Sequence, residues 1–195
     1  MLTNGVVLDH VVSNAGIEVD PTKIKVLSQL PIPTTKKEVR SFLGFARYYR
    51  RFIECFTKIS MPLLKLLSKD DVFLWIYQCQ HVFKTLKENL SVTYVLRAPN
   101  WDFTFHISMD TSYTTLGLFL GKQYDLYYYA IYYTSKNLTP PKLNYTVTKK
   151  DFITVVHSIN KFRNYITSYE VFIHIDHATI WYLMNKSVTN SWIMR

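Results

Sequence analysis

The apolar period of this chain changes near Pro99-Asn100, and that change limits what the chain can fold into. Before it, apolar residues recur at helical spacing. Val39, Phe42, Leu43, Ala46, Tyr49 and Phe52 form one stripe from Lys36 to Ile53. Leu63, Leu64, Leu66 and Leu67 suggest a second short helix after Pro62, and Val82, Phe83, Leu86 and Leu90 a third. Beyond the boundary the period is 2. Phe103, Phe105, Ile107 and Met109 share one strand face, and Thr104, His106, Ser108 and Asp110 share the other. Leu116 to Leu120 and Tyr127 to Thr134 read as further strands, with Gly121-Lys122 in their connection. A helix capped by Thr148 comes next, its stripe being Phe152, Val155, Val156, Ile159 and Phe162. Val171 to Ile175 returns to strand alternation. The tyrosines at 127–129 and 132–133 suit strand packing better than a stacking platform for bases.

Upstream, residues 1–20 read as a short β-hairpin, with turn signals at Asn4-Gly5 and Asn14-Ala-Gly16. Pro31-Ile-Pro33 predicts a rigid extended connector, because the residue before each proline is pushed out of the helical region. Thr34 or Thr35 caps the helix after it. The fold class is therefore α/β: a mixed sheet with helices, preceded by a small helical module and a hairpin. The expected divisions are 1–20, 21–98 and 99–195. No internal repeat or low-complexity tract interrupts them.

At 195 residues with 48% hydrophobic content, a buried core is within reach. Twenty-three Lys and Arg against fourteen Asp and Glu leave +9, a balance suited to a polyanion such as duplex nucleic acid. The excess is densest at Lys36, Lys37, Arg40, Arg47, Arg50 and Arg51. These residues lie largely off the apolar stripe and suit either a phosphate backbone or a solvated helix face. Two cysteines, Cys55 and Cys79, imply no disulfide framework. The six His and two Cys show no zinc-finger spacing. No apolar run approaches the roughly 20 residues of a membrane span, and no leader pattern is present, so an intracellular setting is expected, cytoplasmic or nuclear.

Three aspartates carry the candidate chemistry. Asp110 ends the strand-like run from Phe103, Asp151 opens the long amphipathic pattern, and Asp176 ends the run from Glu170. Carboxylates at strand ends, joined by one from a helix, can hold two hard divalent ions such as Mg²⁺ or Mn²⁺ for phosphodiester hydrolysis. Each has a plainer reading: a turn at Asp110 or Asp176, and a first-turn acid facing the helix dipole at Asp151. Asp70-Asp71 reads as a solvated loop.

Several blocks, in order, resemble the polyprotein of gypsy-type LTR retrotransposons. Glu38-Val-Arg-Ser-Phe-Leu-Gly-Phe-Ala-Arg-Tyr-Tyr-Arg-Arg-Phe-Ile53 is similar to the family's block after the reverse transcriptase palm. Tyr129-Ala-Ile-Tyr-Tyr-Thr-Ser-Lys-Asn-Leu138, Asn144-Tyr-Thr-Val-Thr-Lys-Lys-Asp151 and His174-Ile-Asp-His177 are similar to RNase H blocks. Val7 to Asp20 resembles the end of the palm and its primer-contacting hairpin. The resemblance covers nearly the whole chain. It implies a palm end, a helical thumb or connection, and an RNase H-like layer. It also implies reverse transcription and cleavage of RNA in RNA/DNA hybrids as family activities, and other polyprotein domains as partners.

Asp110 and Asp176 match two of the family's catalytic aspartates, and Asp151 stands where the family has a glutamate. His177 also matches a family position, with packing or capping the favoured role. The family's Tyr-x-Asp-Asp polymerase motif does not occur, and its last RNase H acid would fall beyond Arg195. A C-terminally truncated, catalytically impaired RNase H-like layer is the expectation. A non-catalytic nucleic-acid-binding module and a decayed remnant without selected function are the alternatives.

Overall fold

The structure, a computed structural model, describes residues 4–68, 72–92 and 95–175. Three short antiparallel strands come first: β1 (Asn4–Val7), β2 (His10–Ser13) and β3 (Gly16–Val19), in the order β1-β2-β3. The expected hairpin is thus a three-stranded meander. Asn4-Gly5 lies inside β1, and the first turn is Leu8-Asp9, where both residues adopt positive φ (48° and 58°). A two-residue turn with this backbone matches the right-handed twist of the flanking strands. Leu8 and Asp9 lack the ease of glycine in that conformation, and two tyrosines hold them there. Tyr48 Oη donates to the Leu8 carbonyl (2.6 Å) and Tyr49 Oη to that of Asp9 (3.2 Å).

Helix α1 (Pro21–Gln29) starts under an Asp20 cap with proline in its first turn, a helix the apolar spacing does not single out. The Pro31–Pro33 connector is extended. Of the two threonines, Thr35 caps α2 (Lys36–Tyr48) through the Glu38 amide. Glu38 reaches back to the Thr34 amide (2.7 Å), and that bond holds its carboxyl below the usual range. The helix ends five residues before Ile53, in a 3-10 turn at Arg50–Phe52, yet the whole expected stripe from Val39 to Phe52 is buried. Helix α3 (Phe56–Lys65) begins well before Pro62 and runs through it, and α4 (Tyr77–Ser91) completes the module. Val39, Phe42, Leu43, Leu63, Val82, Phe83, Leu86 and Leu90 share one core with Val19, Leu27 and Leu96.

The second layer is a four-stranded sheet, β6-β5-β4-β7, built from β4 (Phe105–Thr111), β5 (Thr115–Tyr124), β6 (Tyr127–Asn137) and β7 (Val171–His174). The first three form an antiparallel meander. A short helix α5 (Pro140–Leu143) and the long α6 (Val147–Ile166) then carry the chain back to β7, which lies parallel to β4 with Ser108 opposite His174. Gly121-Lys122 lies within β5 beside a bulge, not in a connection. The turn falls at Asp125, where φ is +53°.

α6 starts at a Thr146 cap, two residues before the expected Thr148. Its buried face also differs from the apolar stripe. Val155 and Phe162 are buried as expected, but Val156 and Ile159 remain 45% and 40% exposed, while Thr154 and Ser158 are fully buried. Their hydroxyls return to the helix's own carbonyls, Thr154 to Lys150 (2.8 Å) and Ser158 to Val155 (2.7 Å). Small side chains satisfied in this way cost little to bury. Two buried lysines also stitch this layer. Lys122 Nζ donates to the Asn100 and Phe103 carbonyls, and Lys150 Nζ to that of Tyr113 (3.2 Å).

The helical module is seated on the sheet through Thr57 and Ser135, whose side chains bond at 2.8 Å, and through Ala130 and Tyr133 packed on its core. Leu96 pairs with Ile17 of β3, and the Arg97 amide bonds the Ala130 carbonyl of β6 (3.1 Å), so one short segment ties the two sheets together. No helix among the described residues is long and apolar enough to cross a membrane.

Candidate acidic site and basic surface

Asp110 and Asp151 line one cavity at one end of the four-stranded sheet. Asp110 is the penultimate residue of β4 and points its carboxylate into solvent. Asp151 lies in the second turn of α6, which carries no acidic residue in its first turn, so the reading of Asp151 as a first-turn acid on the dipole does not hold. The helix is locked to the strand one residue after Asp110 and three after Asp151, where Thr111 Oγ1 donates to Thr154 Oγ1 (3.2 Å). That bond and the buried Lys150 set the register between β4 and α6. As a result both carboxylates line one cavity of about 280 Å³ with Thr111, Val147 and His174. Asp176 and His177 lie outside the described residues, as does the Asp70-Asp71 pair.

Asp110 also has neighbours from the helical module. Lys58 Nζ stands 3.7 Å from its carboxylate, both groups being well exposed, and Cys55 Sγ donates to it at 3.8 Å. Gly117 on β5 permits this approach, since a Cβ there would sit 3.1 Å from Cys55 Sγ. Burial pushes the Cys55 thiol up, and the Asp110 and Glu54 charges add to that, so this cysteine is held as a neutral thiol. Behind the cavity, His106 and His174 share a hydrogen bond between Nδ1 and Nε2 at 2.9 Å, on neighbouring parallel strands. Burial, then the His174 charge, lowers the pKa of His106. Neither Lys58, Cys55 nor His174 is marked by spacing. The place of Lys58 and Cys55 beside Asp110 depends on how the module docks, and that of His174 on the pairing of β7 with β4, neither of which periodicity encodes.

Two carboxylate residues, Asp110 and Asp151, line the cavity, and carboxylate oxygens are the kind of ligand that hard divalent cations take. Among the described residues, no group of three or more His, Cys, Asp or Glu is arranged to hold a metal ion. The residues present suit Mg²⁺ in kind, with two of the three expected acids in place.

The six expected phosphate-binding cations separate into three sets. Lys37, Arg40 and Arg47 are exposed on the outer face of α2, opposite its core stripe. Lys36 donates to the Ser68 carbonyl (2.6 Å), a structural tie. Arg50 and Arg51, half-buried, line a separate cavity with His10, Tyr48 and Tyr132.

Residues 75–173 match the family described as the RNase H-like domain found in reverse transcriptase. The chain belongs to that family. Members of the RNase H-like class generally work with divalent metals. Among relatives, the retrovirus-related Pol polyprotein from transposon 297 of Drosophila melanogaster is 30% identical over 91% of the chain, and that from transposon gypsy is 27% identical over 96%. The gypsy-type resemblance read from the sequence blocks is thereby borne out. The chain spans only 16% and 19% of those polyproteins. A foamy viral protease-reverse transcriptase, solved with an RNA/DNA hybrid, has the same fold over 98% of the chain and 27% of its own length (TM-score 0.73, 18% identity).

Proposed function

We propose that this chain is the part of a retrotransposon Pol polyprotein that grips an RNA/DNA hybrid or duplex and presents it to a weakened RNase H-like centre. In this reading residues 1–20 end a reverse transcriptase palm, 21–98 form the thumb and connection, and 99–195 form the RNase H-like layer. The observation that carries it is the convergence of Asp110 and Asp151, from a strand and a helix, on one cavity.

Asp110, Asp151 and Asp176 are the proposed ligands of Mg²⁺ or Mn²⁺. When bound, such ions lower the pKa of a water and stabilise the leaving oxygen of the cleaved phosphodiester. The chain's own part is placement. Thr111 and Thr154 fix β4 against α6, and Lys37, Arg40 and Arg47 offer an exposed basic face for the backbone phosphates.

Two features favour weak cleavage. Aspartate at 151 has a reach about 1.5 Å shorter than glutamate, and a misplacement near 1 Å costs about 100-fold in rate. Lys58 beside Asp110 competes for the same carboxylate. That ion pair is also the specific observation favouring a second reading, a module that binds without cutting.

Cleavage of end-labelled RNA in an RNA/DNA hybrid, with Mg²⁺ and with Mn²⁺, tests the proposal. Slow cleavage is expected, and Asp110→Asn should reduce it to background. Asp151→Glu should raise it by up to about 100-fold. Binding with no cleavage by folded protein in either metal would leave the binding module.

A further inference from the structure

Away from the acids, one cluster of cations has no counter-charge among the described residues. Arg50 and Arg51, just after α2, line a cavity of about 390 Å³ with His10 of β2, Tyr48, and Tyr132 of β6. The Arg51 guanidinium carbon lies 4.9 Å from the centre of the Tyr132 ring, and Lys161 Nζ of α6 lies 5.0 Å from it. Two separate elements, the 3-10 turn after α2 and helix α6, therefore bring positive charge to one tyrosine. Among the described residues, three cations are paired with carboxylates: Lys23 with Asp9, Lys58 with Asp110, Lys84 with Glu88. Among the described residues, no carboxylate lies within 4 Å of Arg50, Arg51 or Lys161.

Holding like charges together around a half-buried ring is unfavourable unless something negative completes the set. Cation–π contact recovers only a part, about 0.5–1 kcal/mol at exposed sites. A phosphodiester supplies what is missing. The guanidinium forks match its oxygens, the ammonium adds a point charge, and a phenol can donate to it. Burial pushes the Tyr132 phenol up, but Lys161 and Arg51 outweigh it and hold the phenol below its usual range, in line with a strong positive field at that oxygen. Tyr48 and His10 add flat rings against which a sugar or base can rest.

We propose that Arg50, Arg51, Lys161 and the Tyr132 hydroxyl form a composite site for one backbone phosphate of a bound nucleic acid, at the seam between the N-terminal meander and the RNase H-like sheet. This rests on the reading that the chain binds a hybrid or duplex. It goes further in recruiting Lys161 and Tyr132 from the RNase H-like layer to a site also built by Arg50 and Arg51 of the helical module. A nucleic acid held there would span both layers and fix their relation to the acidic cavity.

The test is anisotropy of a fluorescent RNA/DNA hybrid across a salt series, with wild type, Arg51→Gln, Lys161→Gln, Tyr132→Phe and the control Arg163→Gln, which removes an exposed cation from the same helix. Each of the first two should weaken binding about tenfold at low salt and reduce the salt slope by about 1. Tyr132→Phe, which keeps the ring, should weaken it less, and the control should match wild type. Acylation of Lys161 in the wild-type chain, read by mass spectrometry, gives an answer that does not depend on any variant folding: bound hybrid should protect it. Unchanged affinity and slope in the variants, with Lys161 still reactive in the complex, would overturn this site while hybrid binding stands. Protection by inorganic phosphate but not by hybrid would overturn the phosphodiester assignment. No binding of hybrid by wild type would instead remove the functional reading on which the site rests.

Discussion

The helical module and the strand-helix layer solve burial differently. The module's core is almost wholly apolar, with Ser60 its buried polar side chain among the described residues. The sheet layer buries Lys122, Lys150, Thr154, Ser158, His106, Thr134 and Ser135 alongside its hydrophobic cluster. Apolar contact is non-directional and tolerates sliding. A buried ammonium or hydroxyl is tolerable only with its partner in place, so it fixes register. The layer that carries Asp110 and Asp151 is the one held by directional bonds. The module packs for stability, and the layer is built for placement.

The largest expected effects come from the cores and ask whether the two regions are separable. Phe162→Ala should cost about 3–5 kcal/mol in the sheet layer, and Leu86→Ala about 2–5 kcal/mol in the module. Leu96 and Arg97 bridge both sheets, so hydrogen exchange should show Phe162→Ala lowering protection in α2 and α4 as well. Loss of protection confined to residues 105–174 would make the two regions independent and the bridge unimportant.

Next in size is Lys122→Met. It retains an apolar stem but leaves the Asn100 and Phe103 carbonyls without their donor. Bonds to charged groups are worth about 1.5–3 kcal/mol, and a loss in that range is expected in urea melts. Lys122 is fully buried, so an unchanged midpoint would mean that its bonds contribute nothing beyond packing. A smaller effect distinguishes the two faces of α6. Thr154→Val should cost about 1 kcal/mol, since it removes the link to Thr111. Val156→Thr, on the open face, should change stability by less than about 0.5 kcal/mol. The reverse order would restore the apolar stripe as the docking face.

That contrast also explains which parts of the fold are legible in the chain. The module's stripe from Val39 to Phe52 is legible because every buried position is apolar and the Pro31–Pro33 connector marks its start. Strand alternation through Phe105, Ile107 and Met109 places Asp110 at a strand end, and the switch of period places the sheet after residue 99. Apolar spacing misplaces the docking face of α6, because Thr154 and Ser158 are buried by virtue of bonds within their own helix, a fact invisible to hydrophobic patterning. Pro62 reads as a helix start, yet α3 runs through it. Gly121-Lys122 resembles a turn, but its glycine serves a bulge and its lysine is spent on the 99–104 segment. The family blocks single out both Asp110 and Asp151, which line one cavity. Nothing in the sequence anticipates the approach of Lys58 and Cys55, because it arises from contacts between residues more than 50 positions apart.

The smallest effect is a pH dependence carried by the sheet layer. His106 is 7% exposed, edge-on to Tyr128, tilted against Phe172 and bonded to His174. Burial first, and the His174 charge second, lower its pKa from the usual 6.5. His157 on α6 shifts the same way, through burial and then Lys136, Lys161 and Lys142. The folded chain therefore binds fewer protons at these groups than the unfolded chain does. Their contribution is fully present above about pH 6.5 and is lost as pH falls through the depressed folded values. Both histidines belong to the strand-helix layer, so the loss should be local to it. Urea midpoints at pH 7.5 and pH 5 should fall with acid. His106→Phe should flatten that fall without abolishing it, because His157 remains. A midpoint equal at both pH values in the parent chain would mean that the sheet accommodates a protonated His106 without cost, and it would then owe its register at Ser108 and His174 to backbone pairing alone.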